Sequence, residues 1–382
     1  MASGAIKILF VIDYFHRTGG TERHLTQLIA GLPREVFSCS LAAFDLGSNK
    51  LLDDLREQGV PIFSFRVGRE YVPNAVVQAW RLSKLIRTNE YHIVQTFHQK
   101  ADTFGALVAW LSGAKHIVSS KRDTGELRRP WHLFVNRRLQ GFFDAFIVVA
   151  EAVRAAVIAN DHLPARRIRT IYNGVDPVRF HVPSVDERKT ARARFGFRAE
   201  DFVVGVVGSF RPEKNHEVLF EGASRALKAI PSLRILALGA GPLYEKCRDW
   251  SERSALRDRV TFTGDVSDVV SYLWAMDVGV LPSGSNEGLS NAVLEQMSVG
   301  LPMIVSDVGG NAEAVADGSN GIVVAPLNAA ELSAALIELF SDGPRREAMG
   351  RESRKRVEQK FTVEKMCDEH VNLYLSLISR AL

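Results

Sequence analysis

Two series of short apolar runs, each separated from the next by a longer amphipathic stretch, constrain this chain more than any other feature. In the first series the runs fall at 6–12, 37–43, 61–65, 93–96, 116–119, 145–149 and 168–171. In the second they fall at 202–207, 233–238, 259–263, 278–281, 303–306 and 322–324. Short apolar strands alternating with helices predict a parallel sheet wound on both faces. The alternation breaks around Asn173–Pro183, where Pro177 and Pro183 mark a linker. At 382 residues the chain is too long for one ordinary core. The expectation is therefore α/β, with Rossmann-like domains over 1–182 and 183–360. A C-terminal helix over 361–382 is expected to pack back toward the first domain. In such sheets ligands bind at the carboxyl ends of the strands.

Composition narrows the class. Hydrophobic residues make up 46% and charged residues 24%, as in globular proteins, and no apolar run reaches the length of a membrane span. Cys39, Cys247 and Cys367 lie far apart and suggest neither a disulfide framework nor a zinc site. Met1–Ala5 lacks a signal-peptide pattern, so a reducing cytoplasm is expected. Charge is unevenly shared. Residues 1–182 carry 24 Lys and Arg against 16 Asp and Glu, whereas residues 183–382 carry 24 against 28. A basic first half points to an anionic contact, and charge alone admits either nucleic acid or an anionic membrane surface.

Chemistry concentrates between Ser283 and Val308. A strand at 278–281 leads through Gly288-Leu289-Ser290 into a helical pattern, then through Gly300-Leu301-Pro302 into another strand. The amides and dipole of a helix N-terminus favour a phosphate. Glu287 and Glu295 stand eight positions apart. On a regular helix they would lie about 12 Å apart along the axis and on one side of a cleft. Carboxylates beside a phosphate site suit sugar hydroxyls.

This segment, with Val308-Gly309-Gly310-Asn311-Ala312-Glu313 behind it, resembles the signature of the retaining glycosyltransferases of family 4. The resemblance covers essentially the whole chain. It implies the GT-B fold, two facing Rossmann-like domains with an interdomain cleft, and sugar transfer from a nucleoside-diphosphate sugar of the UDP or GDP type. It also implies retention of configuration and catalysis without a metal or other cofactor, cations and a helix dipole serving instead. Glu287 would position the donor sugar, Glu295 the nucleotide ribose, and Gly288, Leu289 and Ser290 the diphosphate.

Other segments fit the same resemblance. Gly208-Ser209-Phe210-Arg211-Pro212-Glu213-Lys214 follows the first strand of the second domain. Lys214 matches the family lysine, which stabilises the departing diphosphate. Ser209 stands at the donor-facing position where the family carries arginine, and Arg211 would supply the missing cation. Thr18-Gly19-Gly20-Thr21-Glu22 resembles the family's G-G-x-E turn, with Gly19 and Gly20 close to the donor. His98 is the candidate for a histidine that touches the donor sugar, displaced by one residue because Phe97 occupies the commoner position. Ser119-Ser120-Lys121-Arg122-Asp123 offers Arg122 as a contact for acceptor or donor phosphate. Thr263-Gly264-Asp265 corresponds to the neighbourhood that packs on the nucleobase, and Asn173-Gly174-Val175-Asp176 to a structural turn. Leu238-Gly239-Ala240-Gly241-Pro242 lacks the third glycine of a dinucleotide fingerprint, which disfavours a nicotinamide oxidoreductase.

The expected activity is hexosyl transfer to a hydroxyl acceptor, a saccharide or lipid-linked saccharide, in cell-surface polysaccharide or glycolipid synthesis. Nucleic acid is not an expected partner. A sugar-nucleotide epimerase or other GT-B enzyme, and a non-catalytic sugar-nucleotide-binding scaffold, stay open as alternatives. The basic and aromatic stretch Arg128–Phe142 places Trp131, Phe134, Val135, Leu139 and Phe142 on one helical face. That face can pack on the first-domain sheet or lie on the inner face of an anionic membrane.

Overall fold

The computed structural model describes residues 4–16, 19–67, 73–126, 128 and 130–379. Thr18 and Arg129, singled out above, lie outside them. The chain divides into two compact units, Met1–Asn173 with Val363–Leu382, and Gly174–Thr362. The first division falls at Asn173, nine residues before the boundary expected from the prolines.

In the first unit, β1 (Ile6–Phe15), β2 (Phe37–Leu46), β3 (Ile62–Ser64), β4 (Ile93–Phe97), β5 (His116–Lys121), β6 (Ala145–Val148) and β7 (Ile168–Thr170) form one sheet. Its order is β3-β2-β1-β4-β5-β6-β7, and every pairing is parallel. The order reverses beside β1, so the topological switch point lies between β1 and β4. In the second unit, β8 (Phe202–Val207), β9 (Leu233–Leu238), β10 (Val260–Gly264), β11 (Val278–Leu281), β12 (Met303–Ser306) and β13 (Gly321–Val324) pair in the order β10-β9-β8-β11-β12-β13, again all parallel. Its switch point lies between β8 and β11. The thirteen apolar runs of the sequence are the thirteen strands.

Continuous apolar runs are what a sheet covered on both faces requires. Ile8, Leu9, Phe10, Val11 and Ile12 of β1 are all fully buried, odd and even positions alike. The first core is completed by the C-terminal helix Val363–Ser379, which contributes Met366, Cys367, Leu373, Tyr374 and Leu377. The Tyr374 hydroxyl, fully buried, donates to Gln95 Oε1 at 2.6 Å. That bond satisfies the phenol where water cannot reach it. The second core gathers β8, β9, β11 and β12 around Phe210, Leu219, Phe220 and the helix Ala329–Ser341.

Candidate active site

The second unit places its chemistry where β8 and β11 end. Past β8 the backbone turns through Gly208 and half-buried Ser209, whose carbonyl accepts from Arg211 N at 2.8 Å. A single 3-10 turn, Pro212–Lys214, follows. It is locked onto the β11 loop by Gly284 N donating to Glu213 O at 2.8 Å. Asn215 then takes a left-handed conformation, φ 51°, and opens the helix His216–Ala226. His216 stacks on Phe210 with ring centroids 4.0 Å apart and planes 11° from parallel. Burial, helped by nearby Lys214, brings its imidazole down to about 4, so it is neutral at neutral pH.

Past β11, Glu287 is almost wholly buried. Its Oε1 accepts from Ser283 Oγ at 2.6 Å and from Lys214 Nζ. Ser283 is held in turn, its carbonyl accepting from Ser306 Oγ at the end of β12. Gly309 closes over the loop at φ +57°, and a Cβ there would lie 2.1 Å from Glu287 O. Gly310 N donates to Gly288 O at 2.6 Å. With a cation and a hydroxyl both donating to it, that one oxygen has its hydrogen-bonding capacity met inside the protein. The other oxygen is the one that can meet a ligand.

The helix behind this loop spans only Asn291–Ser298, with Ser290 as its N-cap and no side-chain capping bond. Glu287 therefore lies in the loop rather than on the helix, which corrects the axial spacing expected from a regular helix. The loop bends at Gly288 and reaches the helix through Ser290, the extended N-cap, so of the two glutamates only Glu295 belongs to the helix, where it is buried at 7% exposure. Arg211 extends from the 3-10 turn with its side chain 44% exposed and its guanidinium 4.0 Å from Glu213. Gly264 ends β10 at φ +65°, and its carbonyl accepts from Gly239 N at 2.9 Å. Ala240 N donates to Asp265 Oδ1 at 3.1 Å, tying the glycine turns after β9 and β10 together.

In the first unit a second group of side chains gathers where β1, β4 and β5 end. Gly19 caps the helix Gly20–Gly31. Glu22, 2% exposed, folds back so closely that a Cβ on Gly19 would lie 2.5 Å from its Oε2. β4 ends at Phe97, which is wholly buried, and His98 then adopts φ +72°. That left-handed residue breaks the strand's alternation, so His98 is not bound to the face that its position in an extended strand would dictate. His98 Nε2 lies 3.2 Å from Thr21 Oγ1, and the ring stacks on Tyr14 at 4.8 Å. Burial takes its imidazole to about 4, against the opposing pull of Asp123. Arg122 donates through Nη2 to Asn173 Oδ1 at 2.7 Å. Burial brings its guanidinium down to about 9 despite Glu22 and Asp123, and Nη1 has no hydrogen-bond partner among the described residues.

Three residues that carry this geometry were not singled out from the sequence. Ser283 supports Glu287 from four positions away, across a loop where no periodicity applies. Asp102 and Lys121 form a buried ion pair behind His98 and Arg122 in the first unit. Among the described residues no cluster of three or more His, Cys, Asp or Glu is arranged to hold a metal ion.

Comparison with known proteins decides the family. Residues 187–356 match the family described as Glycosyl transferases group 1, and residues 18–179 match Glycosyltransferase Family 4. The chain belongs to the family 4 glycosyltransferases. Among curated relatives of this glycosyltransferase, the Bacillus subtilis protein named putative glycosyltransferase EpsD is 28% identical over 80% of this chain and 83% of its own length. The Escherichia coli UDP-Gal:alpha-D-GlcNAc-diphosphoundecaprenol alpha-1,3-galactosyltransferase is 26% identical over 94% of both chains. Among solved structures, Anabaena Alr3699/HepE in complex with UDP and glucose superposes with a TM-score of 0.86 at 22% identity, over 97% of this chain and all of that one. That likeness establishes for this glycosyltransferase the GT-B fold.

Proposed function

We propose that the chain transfers a hexosyl group from a nucleoside-diphosphate sugar, of the UDP or GDP type, to a hydroxyl acceptor with retention of anomeric configuration. The observation that carries this reading is the Lys214–Glu287–Ser283 array at the ends of β8 and β11. Its parts suit the two halves of a sugar nucleotide. Lys214 and Arg211 meet the diphosphate and stabilise the charge that grows on it as the glycosidic bond breaks. Those cations and the dipole of the helix Asn291–Ser298 supply the positive field without a metal or organic cofactor. Glu287, with Oε1 engaged, turns Oε2 to the donor sugar's hydroxyls. Glu295 serves the ribose diol.

Retention follows from attack on the face from which the diphosphate leaves, the departing phosphate oxygen taking the acceptor proton. Neutral His98 can then share a hydrogen bond with a sugar hydroxyl without adding charge. Arg122 is the first unit's candidate for an acceptor or donor phosphate. A role in cell-surface polysaccharide or glycolipid synthesis is supported by the names of the relatives, which include a polysaccharide biosynthesis protein and an enzyme whose printed acceptor is a lipid diphosphate.

The test is a thermal-shift screen with UDP, GDP, ADP and their sugar conjugates, with and without a chelator. A ligand that binds only the folded state raises the melting temperature. A chelator-insensitive shift with one nucleotide family, lost in Lys214→Ala, is the expected result. No shift with any nucleotide at saturating concentration would sink the assignment.

A further inference from the structure

We propose that the first unit docks on an anionic lipid bilayer through a face built by three helices, Pro73–Asn89, Ala106–Leu111 and Pro130–Leu139. This goes beyond the transfer reaction and stands or falls without it. Each helix leaves an indole uncovered: Trp80 is 64% exposed, Trp110 51% and Trp131 53%, with Phe134 at 54% beside the last. The sequence showed an aromatic stretch only near Trp131. The structure splits that stretch, leaving Trp131 and Phe134 exposed while Val135, Leu139 and Phe142 are partly covered, and adds the other two helices to it.

The three helices join into one surface. Arg87 Nη2 donates to Leu111 O at 3.0 Å, and Ser112 Oγ meets Ser83 Oγ at 2.9 Å, fixing the second helix to the first. Trp110 stacks on Phe142 at 4.5 Å and 17°, which fixes it to the turn that ends the third. The charge on these helices has one sign. They carry Arg81, Lys84, Arg87, Arg137 and Arg138 and contain no Asp or Glu. Cations sit against the exposed rings, Lys84 Nζ 5.4 Å from the centre of Trp80 and the Arg138 guanidinium 5.2 Å from that of Phe134.

Charge and apolar surface together select the occupant. Indole rings with long cationic side chains beside them match the boundary between acyl chains and headgroups, where the ring enters and the cation stays at the phosphates. Lys and Arg near an anionic leaflet are each attracted to it. A second copy of the same face would set positive charge against positive charge, which disfavours self-association. Among the described residues no helix is long and apolar enough to cross a membrane, so contact by this face is peripheral.

The experiment is vesicle flotation of the full chain with phosphatidylcholine alone and with phosphatidylcholine–phosphatidylglycerol mixtures, alongside two double variants. One is Trp80→Ser with Trp131→Ser, the other Arg137→Glu with Arg138→Glu, each checked for an unchanged melting temperature without lipid. The wild type is expected to float only with phosphatidylglycerol, to be released by raised salt, and to blue-shift its tryptophan emission on binding. Each double variant should bind at least about tenfold more weakly. Absence of flotation at any phosphatidylglycerol content, or flotation unaltered in both variants, overturns the proposal. So does wild-type self-association that both variants abolish while vesicle binding stays absent, since the occupant would then be a second copy.

Discussion

Lys121 Nζ donates to Asp102 Oδ2 at 2.6 Å, with both side chains about 95% removed from solvent. Asp102 Oδ1 accepts from Thr96 Oγ1 at 2.5 Å and from Ser119 Oγ at 2.8 Å, so both carboxylate oxygens are satisfied. The pair joins the turn after β4 to the end of β5. Asp102 N donates to His98 O at 3.0 Å, and Lys121 immediately precedes Arg122. One buried charge pair therefore stands directly behind two candidate site residues.

Breaking that pair leaves an uncompensated buried charge, which costs about 3–5 kcal/mol. We predict that Lys121→Met lowers the melting temperature of the first unit by about 10 °C, from roughly 2–4 °C per kcal/mol at this domain size. Lys121→Met with Asp102→Asn should recover much of the loss, because no bare charge remains. Thermal unfolding of the two variants decides it, and equal destabilisation in both would show that the charge is not what matters.

Lys214→Ala is predicted to lower kcat by about 10²–10³, the usual effect of removing one preorganised group aimed at developing charge. Because Lys214 also neutralises Glu287, the variant should lose some stability at neutral pH. Lys214→Arg restores charge but not geometry and should fall between. Initial rates with the donor identified by thermal shift provide the measurement.

Gly309→Ala tests the loop rather than the charges. The new Cβ would meet Glu287 O at 2.1 Å on a backbone at φ +57°, so the Glu287 loop must move. Loss of the nucleotide-induced thermal shift is expected, with a much smaller change in the melting temperature of the free protein. A variant that binds nucleotide as the parent does would disconnect Gly309 from the site.

Acid should weaken the first unit through its buried histidines. His24 is fully buried, 5.7 Å from His370 and 6.4 Å from Phe97 between ring centroids. Its ring nitrogens have no hydrogen-bond partner among the described residues, and burial, with Arg122 and His370 adding to it, holds its pKa well below the ordinary 6.5. His370 and His98 are lowered to about 4 by burial. As pH falls below 6.5 the unfolded chain takes protons that the folded chain refuses. The stabilisation is thus complete above pH 6.5 and is lost as pH falls toward 4, at up to about 1.4 kcal/mol per pH unit per histidine. His24→Leu should flatten the melting temperature's dependence on pH over that window, and an unchanged slope would remove His24 from the account.

How much of this was legible depends on the range of the interaction. The strands were, because a run such as Ile8–Ile12 must be apolar on both faces wherever helices cover both sides of the sheet. The Glu287 segment was legible as a motif, and Lys214 as its partner in chemistry. Ser283 was not, because it reaches Glu287 around a non-repeating loop. How near to Glu287 the helix begins was not legible, because a loop through Gly288-Leu289-Ser290 and one more helical turn differ in backbone angle, not in residue type. Asp102 and Lys121 are nineteen positions apart, and only the adjacency of β4 and β5 brings them together. Trp80 went unremarked because an apolar helical stripe reads the same whether something covers it or not.

The order of elements along the chain has a consequence for how the protein is made. The first unit needs Met366, Leu373 and Tyr374 for its core, and these emerge from the ribosome only after the whole of Gly174–Thr362. At about 5–20 residues per second, that interval lasts roughly 10 to 40 s. Throughout it a seven-stranded sheet waits with one helix missing, Phe37 without the Tyr374 ring that lies 5.9 Å from it in the finished fold and Gln95 without its buried hydroxyl. The unit that begins the chain is the last to be closed. Nascent chains stalled anywhere in the second unit should therefore present the first as an open, chaperone-binding surface.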